Sequence, residues 1–145
     1  MIEKFDDLTV LLISYYSTKD IKRLIKKINK KSKLIIIDNA NEKNFHKKIG
    51  KFKNLKIIKP KFNTGQVGGI NIGFKNIKTK YALYMDPDVY FKKSLINNFL
   101  KKANIIKDFI ILGPQHERSF YKKEFYSPKV SSFKDAILML SLIHI

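Results

Sequence analysis

Asp86 and Asp88 stand either side of Pro87, directly after the apolar run Tyr81-Ala82-Leu83-Tyr84-Met85. Residues i and i+2 of an extended chain project to the same side, so the two carboxylates share one patch of space. Like charges that close raise each other's pKa and cost free energy unless a positive charge sits between them. A divalent cation is the natural candidate. The sequence offers no other obvious metal centre: it has no cysteine. His46, His116 and His144 lie far apart without paired spacing and read as surface or packing residues, although His116 alone follows an apolar run, FIILGPQH.

A pair of acids at a strand end needs a scaffold behind it. LTVLLISY from Leu8 is a continuous apolar run, and Ser17 and Asp20 then sit at capping-box spacing before Ile21, Leu24, Ile25 and Ile28, which share a helical face. KLIIID, ending at Asp38, reads as a second buried strand, residues 42–52 as a short basic helix, and LKIIK as a third strand before Pro60. Within QVGGINIGFKNI, Val67, Ile70, Phe74 and Ile77 recur at helical spacing. The strand ending at Asp86, a helix over residues 94–103 and a further strand, FIILG, follow. Helices alternating with apolar strands predict βαβ units and a parallel sheet covered on both faces. No repeat or linker interrupts them, so residues 1–145 read as one domain.

Composition narrows the class. Hydrophobic content of 44% with 12% aromatics supports a packed core in a chain of 145 residues and excludes disorder as the default. Absence of cysteine and of an N-terminal apolar signal in MIEKFDDL favours the reducing cytoplasm, and the longest apolar stretch, from Ala136 to Ile145, is too short to span a bilayer. The formal net charge of +18 raises the question of nucleic acid. Yet of thirty basic residues only Arg23 and Arg118 are arginine, the residue that base and phosphate recognition favours, and the lysines are spread along the whole chain. A solvated lysine surface, with attraction to an anionic membrane as a secondary role, is the simpler expectation.

Ligands of such sheets bind outside the carboxyl ends of the strands. Three strand ends carry polar residues: Ser14-Tyr15-Tyr16-Ser17, Asp38-Asn39-Ala40-Asn41 and Asp86-Pro87-Asp88. SYYSTKD contains no glycine, which argues against a dinucleotide-binding turn after the first strand, and no GxxxxGK[ST] pattern supplies a Walker-type phosphate loop. The glycines come later, in NTGQVGGINIG.

The order ISYYS, IIIDNA, NTGQVGGINIGF, YALYMDPDV resembles the nucleotide-sugar half of the family-2 glycosyltransferases, over residues 8–115. The resemblance implies a Rossmann-like GT-A fold and transfer of a sugar from a nucleoside diphosphate to a glycan or lipid-linked acceptor. It also implies Mg²⁺ or Mn²⁺ as cofactor. Asp38 then faces the base, which favours UDP or dTDP; its alternative is a turn-forming residue of DNAN. Ser14 and Tyr15 belong to the first-strand loop, where Tyr16 departs from the Asn common in relatives. Asn63, Gly65 and Asn71 fall in the NTGxxxxxN pattern beside the nucleotide, with turn and packing glycines as the alternative at Gly65, Gly68 and Gly69. Asp86-Pro87-Asp88 matches the DxD motif, Asp86 near the ribose or the metal and Asp88 on the metal.

The acceptor-side acid that serves inverting members as base is not visible. Glu117, Glu124 and Asp135 lie outside any matching context, ERSFYKKEFYSPKVSSF reads as a hairpin, and no catalytic residue is assigned. The expectation is a chain that lacks its acceptor half, binds donor without transfer, and leaves apolar surface uncovered from Ile137 to Ile145. A non-catalytic nucleotide-binding module and a charge-driven nucleic-acid binder are the alternatives.

Overall fold

A computed structural model describes residues 5–106, 111–112 and 140–144. A 3₁₀ turn, Phe5–Asp7, leads into β1 (Leu8–Ser14), followed by α1 (Thr18–Ile25), β2 (Lys33–Asp38), α2 (Phe45–Ile49), β3 (Leu55–Ile58), α3 (Gly65–Asn76), β4 (Tyr81–Met85), α4 (Ser94–Ile105), β5 (Ile111–Leu112) and β6 (Leu140–His144). The alternation matches the expected βαβ pattern.

The strands form one sheet in the order β3-β2-β1-β4-β6-β5. β3, β2, β1 and β4 are parallel, with Ser14 opposite Asp38 and Leu12 opposite Met85, so their carboxyl ends share one edge. β6 runs antiparallel between β4 and β5. Leu142 and Ile143 therefore have backbone partners on both sides, in β4 and in β5. The hairpin expected after Gly113, and Glu117, Glu124, Asp135 and His116, lie outside the described residues.

Continuous apolar runs give strands buried on both faces, as parallel sheets require. Leu8, Val10 and Leu12 of β1 point to one side, with Ile21 and Leu24 of α1, Phe45 and Ile49 of α2, and Ile96, Phe99 and Leu100 of α4. Leu11 of β1, Ile35 and Ile37 of β2, and Ala82 and Tyr84 of β4 point to the other, under α3. Leu12 and Leu83 are fully buried. Burying each such side chain contributes about 1.5–3 kcal/mol, and truncating one to alanine costs about 2–5 kcal/mol.

α3 departs from the expected face. Val67 is 72% exposed, and the helix meets the sheet through Gly69 and Gly73. A Cβ on Gly73 would lie 2.4 Å from Leu11 Cδ1, and one on Gly69 would lie 3.0 Å from Ile13 Cγ2. The two missing side chains set how closely α3 lies on β1, while Ile70, Phe74 and Ile77 pack alongside. The capping box at Ser17 is not formed, because its Oγ donates to Tyr15 O.

Candidate active site at the strand ends

Connections from β1 lead to β2 and β3 on one side, and the chain then crosses to place β4 on the other. Between β1 and β4 the loops part, and this is where open α/β sheets hold ligands. A cleft of about 530 Å³ opens there, lined by Ile13, Tyr15, Ser17, Asp20, Asn39, Asn63, Gly65, Gln66, Asp86, Pro87 and Asp88.

Each wall has a local cause. Asn39, buried after β2, donates through Nδ2 to Gly65 O at 2.9 Å and accepts through Oδ1 from the Thr64 hydroxyl at 2.9 Å and the Thr64 N–H at 3.3 Å. Asn63 Oδ1 accepts the Gly65 N–H. These bonds hold the entry to α3 against the end of β2. Gly65 has φ +65°, a conformation that favours glycine, and a Cβ there would meet open space, so backbone conformation rather than crowding selects the residue.

At the end of β4, Tyr84 Oη donates to Asp86 Oδ1 at 2.5 Å, and Gln66 Nε2 donates to both, at 2.6 Å and 3.2 Å. Burial raises the Asp86 pKa, and the Asp88 charge adds to it, while the hydrogen bonds from Tyr84 and Gln66 oppose the rise. Asp88, two residues on, is exposed. Val89 N–H closes a turn onto Asp86 O.

The loop beyond is held from α1. Arg23 donates through Nη2 to Pro87 O at 3.0 Å and through Nη1 to Val89 O at 2.9 Å, and its guanidinium lies 3.7 Å from the Tyr90 ring centroid. Asp20 accepts from Arg23 Nη2 at 3.3 Å. Lys27, one turn along, donates to Phe91 O at 2.6 Å.

Tyr15, Asn63, Gly65, Asp86 and Asp88 thus meet on one cleft. Ser14, Asp38 and Asn71 do not line it. Ser14 is buried at the end of β1, its Oγ without a hydrogen-bond partner among the described residues. Asp38 is fully buried, and its carboxylate accepts the Glu42 N–H at 3.0 Å and pairs with Lys59 Nζ at 3.1 Å. Asn71 is exposed on α3. Sequence reading missed Gln66, Asn39, Tyr84 and Arg23 as site residues. Asn39 and Gln66 adjoin residues that were singled out, but Arg23 meets the loop across more than sixty residues of chain, and no local pattern announces it.

Residues 9–138 match the family glycosyl transferase family 2. None of the curated proteins matches the chain. In fold the chain is similar to S. aureus TarS 1-349, with TM-score 0.68 and 17% identity over 94% of this chain and 46% of that one. It is also similar to the mannosyltransferase PcManGT from Pyrobaculum calidifontis, solved in complex with GDP-Man and Mn²⁺, with TM-score 0.66 and 12% identity over 95% of this chain and 44% of that one. The chain therefore spans under half the length of these structures, and the likeness is one of fold.

Proposed function

The chain belongs to glycosyl transferase family 2, and on that premise we propose that its strand-end cleft binds a nucleoside-diphosphate sugar as the donor for glycosyl transfer. The observation that carries this reading is the meeting of Asp86 and Asp88 with Tyr15, Asn63 and Gly65 at the carboxyl ends of parallel strands.

The donor set suits a hard divalent cation. Among the described residues no group of three or more His, Cys, Asp or Glu side chains forms a cage. Two carboxylates on a short turn suit Mg²⁺ or Mn²⁺, which keeps phosphate oxygens and water in its remaining positions. Asp86 has Oδ1 engaged by Tyr84 and Gln66, which leaves Oδ2 for ribose or metal, and exposed Asp88 is the stronger candidate ligand. A cation bound there would neutralise charge growing on the leaving diphosphate. The protein itself supplies orientation: the Asn39 clamp fixes the Gly65 backbone beside the ligand, and the exposed Tyr15 ring offers a face to the base. No base for the acceptor is assigned; Asp20, the other acid on the cleft, is paired with Arg23.

The finer reading favours UDP or dTDP through Asp38, which requires Lys59, itself 44% exposed, to leave the carboxylate. PcManGT was solved with GDP-Man, so GDP-sugars belong in the same test. Glycan and lipid-linked acceptors complete the proposal. No helix among the described residues is long and apolar enough to cross a membrane, and a net charge of +18 would draw the chain to an anionic membrane surface.

Thermal unfolding with UDP-, dTDP- and GDP-sugars, in Mn²⁺ or in EDTA, tests the reading. Ligand at one hundred times Kd stabilises by about 2.7 kcal/mol. A shift that requires Mn²⁺ is expected, and equal shifts in EDTA would sink the metal-bridged site.

A further inference from the structure

Asp88 lies on a loop that has neither helix nor strand from Asp86 to Lys92, yet a metal ligand must be held in place to bind well. Turn closure by Val89 N–H fixes only the first step. What grips the rest is α1. The carbonyls of Pro87 and Val89, immediately before and after Asp88, both accept from the one guanidinium of Arg23, and Phe91 O accepts from Lys27. The carbonyls of residues 87, 89 and 91 all face α1, and residues four apart on a helix share a face, so they meet residues 23 and 27 as two matched rows.

We propose that Arg23 is a positioning residue for the donor site: it fixes the backbone on both sides of Asp88 and thereby aims that carboxylate at the cation. The inference rests on the donor-site reading above. The planar arginine fork presents two separate nitrogens to the two carbonyls in fixed geometry, whereas the three donors of a lysine radiate from one nitrogen on a flexible stem and do not reproduce that span. Tyr90 closes over the guanidinium and Asp20 engages Nη2, so the fork has partners on its face as well as its edge. Arg23 cannot act by attraction, because a positive charge beside the site opposes a cation. Position and charge therefore predict opposite signs on removal.

Mn²⁺ uptake, followed by the paramagnetic resonance signal of the free ion with saturating UDP and in parallel with GDP, separates them. Arg23→Lys and Arg23→Gln should each weaken uptake by between about 10- and 100-fold, as lost outer-shell partners do. Lys22→Gln, which removes the same charge from an exposed position of α1, should retain wild-type affinity. Affinity is read at a temperature where circular dichroism shows every variant folded; a merely structural Arg23 would lower the melting temperature and leave the affinity of the folded protein unchanged. Wild-type affinity in Arg23→Lys, or tighter uptake in Arg23→Gln, would overturn the proposal. Wild-type protein that takes up no Mn²⁺ with either nucleotide would instead overturn the donor-site reading and this inference with it.

Discussion

Tyr84 Oη donates its proton to Asp86 Oδ1 at 2.5 Å, joining the last turn-facing side chain of β4 to the first acid of the metal-binding candidate. Burial, and then the bond to Asp86, push the Tyr84 phenol well above its ordinary range, so it is a donor at neutral pH. One Asp86 oxygen is thus fixed and the other is left to a ligand.

Removal of that hydroxyl should move a pH profile. The Tyr84 bond is among the influences that hold the Asp86 pKa down against burial and the Asp88 charge. In Tyr84→Phe the Asp86 pKa therefore rises further, and the pH below which Mn²⁺-dependent nucleotide binding is lost should move upward. Superimposable profiles for wild type and variant would refute the linkage.

Asp86 should also destabilise the free protein. Its folded pKa lies above the unfolded value, so between the two the folded state binds more protons and stability falls as pH rises. The favourable contribution is full below the unfolded carboxylate pKa and is lost as pH climbs through the folded one. Asp86→Asn removes the titration: at neutral pH without ligand it should melt at or above the wild-type temperature, and the difference should shrink on acidification. A variant much less stable than wild type at neutral pH contradicts this, whatever its loss of binding.

Legibility in the sequence divides along range and volume. LTVLLIS, KLIIID and YALYM, continuous apolar runs ended by polar residues, place β1, β2 and β4 and bring Asp86 and Asp88 to the cleft. Hydrophobic spacing then misdirects at α3: Val67 counts as apolar and is exposed, whereas Gly69 and Gly73, which count for nothing on a hydropathy scale, make the closest approach. Asp38 was legible as a strand-end acid but not as one occupied by Lys59, because that partner, just past the end of β3, comes level with it only through the β2–β3 register. Arg23 and the β4–β6 pairing depend on contacts across long stretches of chain, which periodicity does not encode.

Gly73→Ala tests the close approach directly. The new methyl would overlap both Leu11 Cδ atoms, at 2.4 and 2.5 Å, and Leu11 is fully buried. Overpacking of this kind costs about 1–3 kcal/mol. Gly73→Ala should lower denaturant stability by that amount, and adding Leu11→Val should cost less than the two single changes together, since the lost carbon makes room for the methyl. Strict additivity would mean that α3 does not rest on Leu11.

Asp38 decides between two roles with opposite readouts. Its carboxylate is fully buried, accepts the Glu42 N–H and pairs with Lys59, so Asp38→Ala leaves a backbone donor unpaired at a cost of about 1–3 kcal/mol. A residue that only builds the turn should lose this stability and keep its relative affinities for UDP, dTDP and GDP once binding is measured well below the melting point. Recognition of the base predicts a different result: Lys59 yields to the ring N–H, and Asp38→Ala weakens UDP and dTDP selectively, in Mn²⁺ and in EDTA alike. Lys59→Ala sharpens the contrast, because it frees the carboxylate without removing it. If Asp38 reads the base, that variant should bind UDP at least as tightly as wild type; if Asp38 only caps the turn, its sole effect is a modest loss of stability. Nucleotide binding that is indifferent to both substitutions would remove the pyrimidine preference and leave the diphosphate as the part of the donor that this cleft recognises.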